Sequence, residues 1–383
     1  MAKYRGIPHH SGSIKHMMHT ILVLGGYGFF GSRICHALAH NKNIHLLIGG
    51  RHAKQAQTLA EQLGLQPTQG LAIDAHAENL AQRLTALRVN TVIHTAGPFQ
   101  GQDYAVAQAA ITAGANYIDL ADGRDFVAGI KKLDSLAQQQ GVLITSGASS
   151  LPALSSAVVD HYLNRFSRLE SIKHGIGSGA RAPGLATMRG VFSYCGKSFT
   201  RWQAGHWETT YGWLDLQRYH FPSPVGHRLL GSCDVPDLVL FPLRYPHVHT
   251  VTFHAGFAGA LGHLTVWAAA QLVRLGWISS LIPFSAPLHK MSQWLEPFIS
   301  DKGGMFVSLS GIGVDGQPLT LHWHLIAERN HGPYIPCGAA IALSEKLARG
   351  DQLPPGAMPC MGLLSVADYL AALQDFNVHE LPA

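Results

Sequence analysis

The sequence predicts an α/β protein: an N-terminal doubly wound parallel sheet of the Rossmann type, then a second α+β domain with a mainly antiparallel sheet, then C-terminal helices that return to the first domain. Three observations predict it. Between residues 20 and 150 short aliphatic runs alternate with longer amphipathic stretches, which is the rhythm of repeated strand and helix units. Beyond about residue 166, Trp, Tyr, His and Pro rise, and alternating runs such as LTLHWHLIAE (319–328) and HVHTVTFHA (247–255) read as antiparallel strands. From Tyr334 on, GAAIALSEKLARG and SVADYLAALQDF are helical again.

Within the first region, strands are expected at 19–24, 44–48, 70–73, 90–95, 117–120 and 142–145, with helices starting near Phe29, Ala53, Ala77, Gln102, Arg124 and Pro152. Strands buried on both faces and joined by crossover helices form a parallel sheet, and six of them complete a dinucleotide-binding domain. The expected division is a loose tail over 1–18, a cofactor domain over 19–165, a substrate and dimerisation domain over 166–333, and returning helices over 334–383. A chain of 383 residues supplies enough for two cores.

Composition narrows the partners. The net charge of +5 comes from only 13% charged residues, with no Lys and Arg run interleaved with aromatics. That balance suits a small anionic ligand and excludes the dense cationic track a nucleic-acid duplex needs. Five cysteines lie far apart with no C-x-x-C pair, as expected of a reduced, cytoplasmic protein. The first eighteen residues lack the apolar core of a secretion signal. Residues 255–273 carry no formal charge over nineteen positions, about the length that crosses a bilayer. Gly256, Gly259, Gly262, His263 and Gln271 dilute that run, which favours a buried or interface helix of a soluble protein over membrane contact.

The chemistry is densest in ILVLGGYGFFGSRICHALA (21–39). Gly26, Gly28 and Gly31 spell G-x-G-x-x-G, and Gly25, Gly28 and Gly31 spell G-x-x-G-x-x-G, with Tyr27, Phe29 and Phe30 between them. Glycine is needed because the chain turns tightly out of a strand, admits a pyrophosphate to the backbone and packs the next helix on the sheet. The helix N-terminus then offers N–H groups and partial positive charge to the phosphates. An NAD site presents Asp or Glu about 20 residues on, but no acidic residue occurs between Gly31 and Glu61. Arg51 and His52 stand there instead, and Arg pairs with a 2′-phosphate where a carboxylate would repel it, so NADP is expected over NAD. Asp74 either accepts from the adenine amino group or caps the next helix. Ala96, Gly97 and Pro98 are expected along the cofactor toward nicotinamide, since ligands sit outside the carboxyl ends of parallel strands.

VLGGYGFFGSRI, VIHTAGPFQGQDYAVAQAAITAGANYIDLADG and GVLITSGASSLPALSSAVV together resemble the saccharopine dehydrogenase-like NADP-binding family over about residues 20–165. The resemblance implies an NADP-binding first domain, a middle domain that holds substrate and forms a homodimer, and a chain end that returns to the first. It also implies that some relatives associate with membranes or lipid droplets. No stretch matches the region that binds the amino-acid-derived substrate in saccharopine reductases, so the resemblance implies the cofactor and leaves the substrate open.

Candidate chemical groups lie at the carboxyl edge of the sheet. Asp122 is the expected polar group facing nicotinamide or substrate, with Arg124 as an anion partner; the alternative is that both start a helix. Tyr104 either faces the same cleft or packs on the sheet. HGIGSGARAPGLATMRG (174–190) carries Arg181 and Arg189, which bind a substrate anion or mark a domain connection. His331 either reaches the cleft or serves its turn. No tyrosine has Lys four residues later, GASSL is not G-x-S-x-G, and neither H-E-x-x-H nor a cysteine pair supports a metal. The expected function is therefore an NADP-dependent oxidoreductase acting on a small imine, carbonyl or amino-acid-related substrate. The alternative is a non-catalytic NADP-binding protein, membrane-associated or regulatory.

Overall fold

A computed structural model describes residues 18–179 and 184–383. The first sheet uses β1 (His19–Leu24), β2 (Ile44–Gly50), β3 (Gly70–Ala72), β4 (Thr91–His94), β5 (Asn116–Asp119) and β6 (Leu143–Ser146). The second uses β7 (Phe166–Gly177), β8 (Ser198–Gln203), β9 (His206–Tyr211), β10 (Gln217–Phe221), β11 (Gly226–Ser232), β12 (Thr250–Gly256), β13 (Gly303–Gly313) and β14 (Pro318–Ala327). β15 (Gly356–Pro359) then adds to the first sheet beside β6, and β16 (Val378–Leu381) to the second beside β14. The first sheet has the order β15-β6-β5-β4-β1-β2-β3, and all its pairs are parallel.

The helices of the first region are α1 (Gly31–Leu38), α2 (Ala53–Gln62), α3 (Leu80–Ala86), α4 (Ala105–Thr112), α5 (Arg124–Gly129), α6 (Asp134–Gln140) and α7 (Ser155–Tyr162). Further on come α8 (Leu185–Tyr194), α9 (Asp237–Arg244), α10 (Ala260–Arg274), α11 (Ser285–Leu295), α12 (Gly338–Arg349) and α13 (Val366–Ala371). Period-2 alternation explains the double winding. Ile21 and Val23 of β1 enter a core with Ile34 of α1 and Ala340 of α12, while Leu22 and Leu24 enter the opposite core with Leu84 of α3 and Ala110 of α4. The first of these cores continues into the second sheet through Leu169, Ile172 and Val251.

Three expectations change. The 247–255 run was read as an antiparallel strand, but β12 pairs in parallel with β7 over seven positions and antiparallel only with β11 and β8. The second sheet is therefore mixed, because alternation reports a half-buried strand and not its direction. The end of the chain is not helical alone, since β15 and β16 lie within it. Finally, the apolar run at 255–273 is split between the end of β12 and α10. Only His263 and Ala270 of α10 are buried, and Leu261 and the following Trp277 are largely exposed. Among the described residues no helix is long and apolar enough to cross a membrane.

His263 sits under Trp213 and Phe257, with ring centroids 5.4 and 6.1 Å away, and neither ring nitrogen has a partner among the described residues. Burial lowers its pKa from 6.5 to about 4. The unfolded chain thus binds a proton between pH 6.5 and 4 that the folded protein refuses, and stability falls as pH drops through that window. His263→Leu is expected to raise stability by about 1–2 kcal/mol at neutral pH, since it removes an unpaired buried polar group. Thermal unfolding followed from pH 7 to 4 checks this, because the variant should also lose stability less steeply with acid.

Candidate functional site

The glycine loop turns where β1 ends. Gly25 has φ +79°, and its N–H and that of Gly26 both donate to the Gly49 carbonyl at 2.9 and 3.0 Å. A Cβ at Gly31 would drive into the Gly25 carbonyl oxygen and lie 2.8 Å from Gly26 Cα; one at Gly26 would lie 2.9 Å from the Val23 carbonyl. These glycines therefore permit close packing of α1 on the sheet, while Gly25, Tyr27, Gly28, Phe29 and Phe30 line the cleft outside it. No acidic residue occupies the first turn of α1, which leaves its positive end available to an anion. Cys35 behind the loop donates to the Gly26 carbonyl at 3.6 Å.

The cleft encloses about 700 Å³ and runs across the carboxyl ends of β1, β2, β3 and β4 to the ends of β5 and β6. At one end stand Arg51 and Asp74. Arg51 follows β2 and forms no ion pair among the described residues. Asp74 accepts from the His76 backbone N–H at 3.0 Å and its carbonyl from Ala77, closing a turn ahead of α3, which begins at Leu80 and not at Ala77. His52 differs from expectation. It precedes α2, is absent from the cleft wall and gives its backbone N–H to the Tyr27 hydroxyl at 3.1 Å, since the chain turns outward after Arg51. Tyr27 lies across Gly50, where any Cβ would collide with its ring.

Ala96, Gly97 and Pro98 form the middle of the floor. Gln102 Nε2 donates to the Ala96 and Pro98 carbonyls at 3.1 and 2.7 Å and so fixes the loop. At the far end Asp122 lines the cleft and accepts from Gln100 Nε2 at 3.0 Å. Burial raises the Asp122 carboxyl above its usual range. Helix α8 of the second region covers this end and presents Thr187, Val191 and Tyr194. Gly190 lets it approach, since a Cβ there would lie 2.9 Å from Gln100 Oε1. The Tyr194 hydroxyl and the Cys233 thiol share a hydrogen bond, and burial lifts both pKa values, that of Cys233 to about 12.

Other sequence candidates take packing roles. The Arg124 guanidinium pairs with Asp234, reaches Thr200 Oγ1 at 3.4 Å and lies 5.5 Å over Phe199, so it ties α5 to the second region and faces no substrate anion. Tyr104 donates its hydroxyl to the Phe126 carbonyl at 2.8 Å and packs against that ring at a 39° tilt, off the cleft wall. Arg189 is exposed on the outer face of α8, and Arg181 lies outside the described residues. His331 Nδ1 accepts the Asn377 N–H at 2.8 Å, with its ring against Tyr334 and Phe376. Its neighbours Asn330 and Gly332, not His331, face inward. Sequence reasoning missed Gln100, Tyr194, Trp213 and Cys233. Gln100 sits in a motif that drew attention to its glycines, and the other three converge from separate elements with no fixed spacing. Among the described residues, no cluster of three His, Cys, Asp or Glu could hold a metal.

A strand, a glycine turn and a helix N-terminus opening on a cleft at the carboxyl edge of a parallel sheet define a dinucleotide-binding α/β protein. Residues 21–151 match the family model described as "Saccharopine dehydrogenase NADP binding domain". Over those residues the chain carries an NADP-binding domain of the saccharopine dehydrogenase type, and its cofactor is NADP. No curated protein matches the chain in sequence. Among solved structures it is similar to the apo L-Glu-forming saccharopine dehydrogenase of Saccharomyces cerevisiae, at 14% identity and a TM-score of 0.65, covering 95% of this chain and 100% of that one. An amine dehydrogenase from Mycobacterium smegmatis aligns at 12% identity and a TM-score of 0.48, covering 94% and 96%. The site's own features fit NADP: glycines that a Cβ would block, a helix start without acid, and the cation of Arg51 on the cleft wall after β2.

Proposed function

We propose that the protein is an NADP-dependent oxidoreductase acting on a small imine, carbonyl or amino-acid-related substrate. The observation that carries this reading is the single cleft that joins Arg51 and the glycine loop to Asp122 under α8. NADPH supplies the hydride when bound. Arg51 holds the 2′-phosphate, Gly25 to Phe30 and the α1 N-terminus take the pyrophosphate, and Ala96 to Pro98 support the nicotinamide end. Helix α8 excludes water from that end. Asp122, with its raised pKa and its hydrogen bond from Gln100, holds the proton that the substrate's reduced atom receives.

A general acid works while protonated, so reduction should fall as pH rises through the Asp122 pKa. Asp122→Asn is expected to lower kcat about a hundredfold and to flatten that limb of the pH profile, with little change in NADPH affinity. Steady-state kinetics over pH, with NADPH binding measured separately, tests this; unchanged kcat and pH dependence would remove Asp122 from the mechanism. The reading includes a reducing cytoplasmic compartment, supported by five free and buried cysteines. It also includes a homodimer, supported by the exposed Leu261, Trp277, Phe284 and Trp294.

A further inference from the structure

Beyond the nicotinamide end the cleft opens into a second chamber of about 250 Å³. Phe29, Phe30, Ile176, Val191 and Trp213 wall both spaces, so the chamber is continuous with the cofactor cleft. Its remaining walls are mostly apolar, Phe257 and Met305 among them; Ser178, Asp301 and Asn330 are polar exceptions, as are Ser150 and Thr187 on the wall shared with the cleft. Among the described residues no Lys or Arg lines it. An apolar cavity of roughly 150 Å³ holds benzene, so this one has room for a ring with a short chain or for a medium-length alkyl group.

The chamber is a built feature. Trp213, only 2% exposed, stacks on Phe257 at 4.8 Å and 12°. It is held with φ +64°, a conformation bulky residues adopt only under constraint. The constraint is visible: the Trp213 N–H donates to the Ser232 carbonyl at 2.7 Å, and the Ser232 N–H returns to Leu214 at 2.8 Å. Two residues on, Asp215 at φ +57° accepts from Arg201 at 2.6 Å and from the Ser232 hydroxyl at 3.2 Å. Strain of this kind is kept where an aromatic wall must stand in one place.

Building on the oxidoreductase reading above, we propose that this chamber takes the uncharged, apolar body of the substrate, an aryl or medium-chain alkyl group whose carbonyl carbon meets the nicotinamide beside Asp122. In the reaction, hydride from NADPH forms the new C–H bond, the carbonyl π pair moves to oxygen and that oxygen takes a proton, giving an alcohol and NADP⁺. An amino-acid carboxylate has no cation to meet among the described walls, and its desolvation there would be costly.

The test uses the full-length protein with NADP⁺ bound and 1-butanol, 1-hexanol and 1-octanol as product analogues, with calorimetry reading affinity without turnover. Each added methylene should tighten binding about fourfold, the factor that about 0.8 kcal/mol per buried methylene gives. Octanal should likewise exceed butanal in kcat/KM. Phe257→Glu and Ser178→Trp, half-buried positions that line the chamber and not the cofactor cleft, should each cut octanol affinity at least tenfold while NADP⁺ still binds. Affinity that is flat with chain length would overturn the proposal, as would turnover that requires a substrate carboxylate and is lost in Arg181→Ala. Failure of the protein to bind NADP⁺ at all would instead sink the oxidoreductase reading, so the two failures are separable.

Discussion

Gly31→Ala is expected to weaken NADPH binding by more than a hundredfold and to destabilise the fold by about 1–3 kcal/mol, the usual cost of an extra methyl in a packed site. The cause is local. The added carbon meets the Gly25 carbonyl oxygen, Gly26 Cα and Thr95 Oγ1 at once. Two of these belong to backbone, so relief requires α1 to lift from β1 or the turn to open, and either movement withdraws the α1 N–H groups from the phosphates. Gly64 supplies the control. It has positive φ, at +71°, which Gly31 does not, and a Cβ there meets nothing within 4 Å. Gly64→Ala should cost about 1 kcal/mol through backbone strain and leave NADPH affinity unchanged. Fluorescence titration with NADPH and thermal unfolding of both variants separate the two effects; equal losses of affinity would refute the packing account.

Arg51→Glu is expected to reverse cofactor choice. Arg51 stands on the cleft wall after β2 and pairs with no carboxylate among the described residues, so its charge is available to a dianionic 2′-phosphate. The substitution replaces attraction with repulsion at one point and supplies the carboxylate that accepts from a ribose 2′-hydroxyl. NADPH affinity should fall at least a hundredfold, a loss of about 3 kcal/mol, while NADH affinity holds or rises. Titration with both nucleotides reads the ratio. Arg51→Ala distinguishes attraction from repulsion, since it should lose the NADPH preference without gaining one for NADH.

Much of this was legible in the sequence for physical reasons. The strands before residue 150 announced themselves because all but the edge strand β3 are buried on both faces and read as short apolar runs bounded by turns. The glycine loop was legible because its chemistry is local, and Arg51 because its position is counted from that loop. What the sequence concealed depends on distant encounters. Tyr194 meets Cys233 only after the second region folds, and Gln100 meets Asp122 only once β4 and β5 pair side by side. Arg124 and Tyr104 have residue types suited to catalysis, yet their polar groups are taken by Asp234 and by a backbone carbonyl. β15 was invisible because its four residues, GAMP, end in proline and show no alternation; only its neighbour β6 and the Asp134 carboxylate, which accepts from the Ala357 N–H at 2.8 Å, make it a strand.

That short strand also bears on synthesis. Met358 pairs with Thr145, 213 positions earlier (358 − 145), and β16 closes the second sheet's edge only twenty residues later. A chain emerging from the ribosome can assemble the cofactor-binding edge early, from β1, β2 and β4. At the opposite side the outer edge of β6 must wait for residues 356–359, more than two hundred positions further along the chain. Removal of residues 354–383 would thus expose one edge of each sheet at once, so that a cut in this segment acts on the dinucleotide-binding half as surely as on the second sheet.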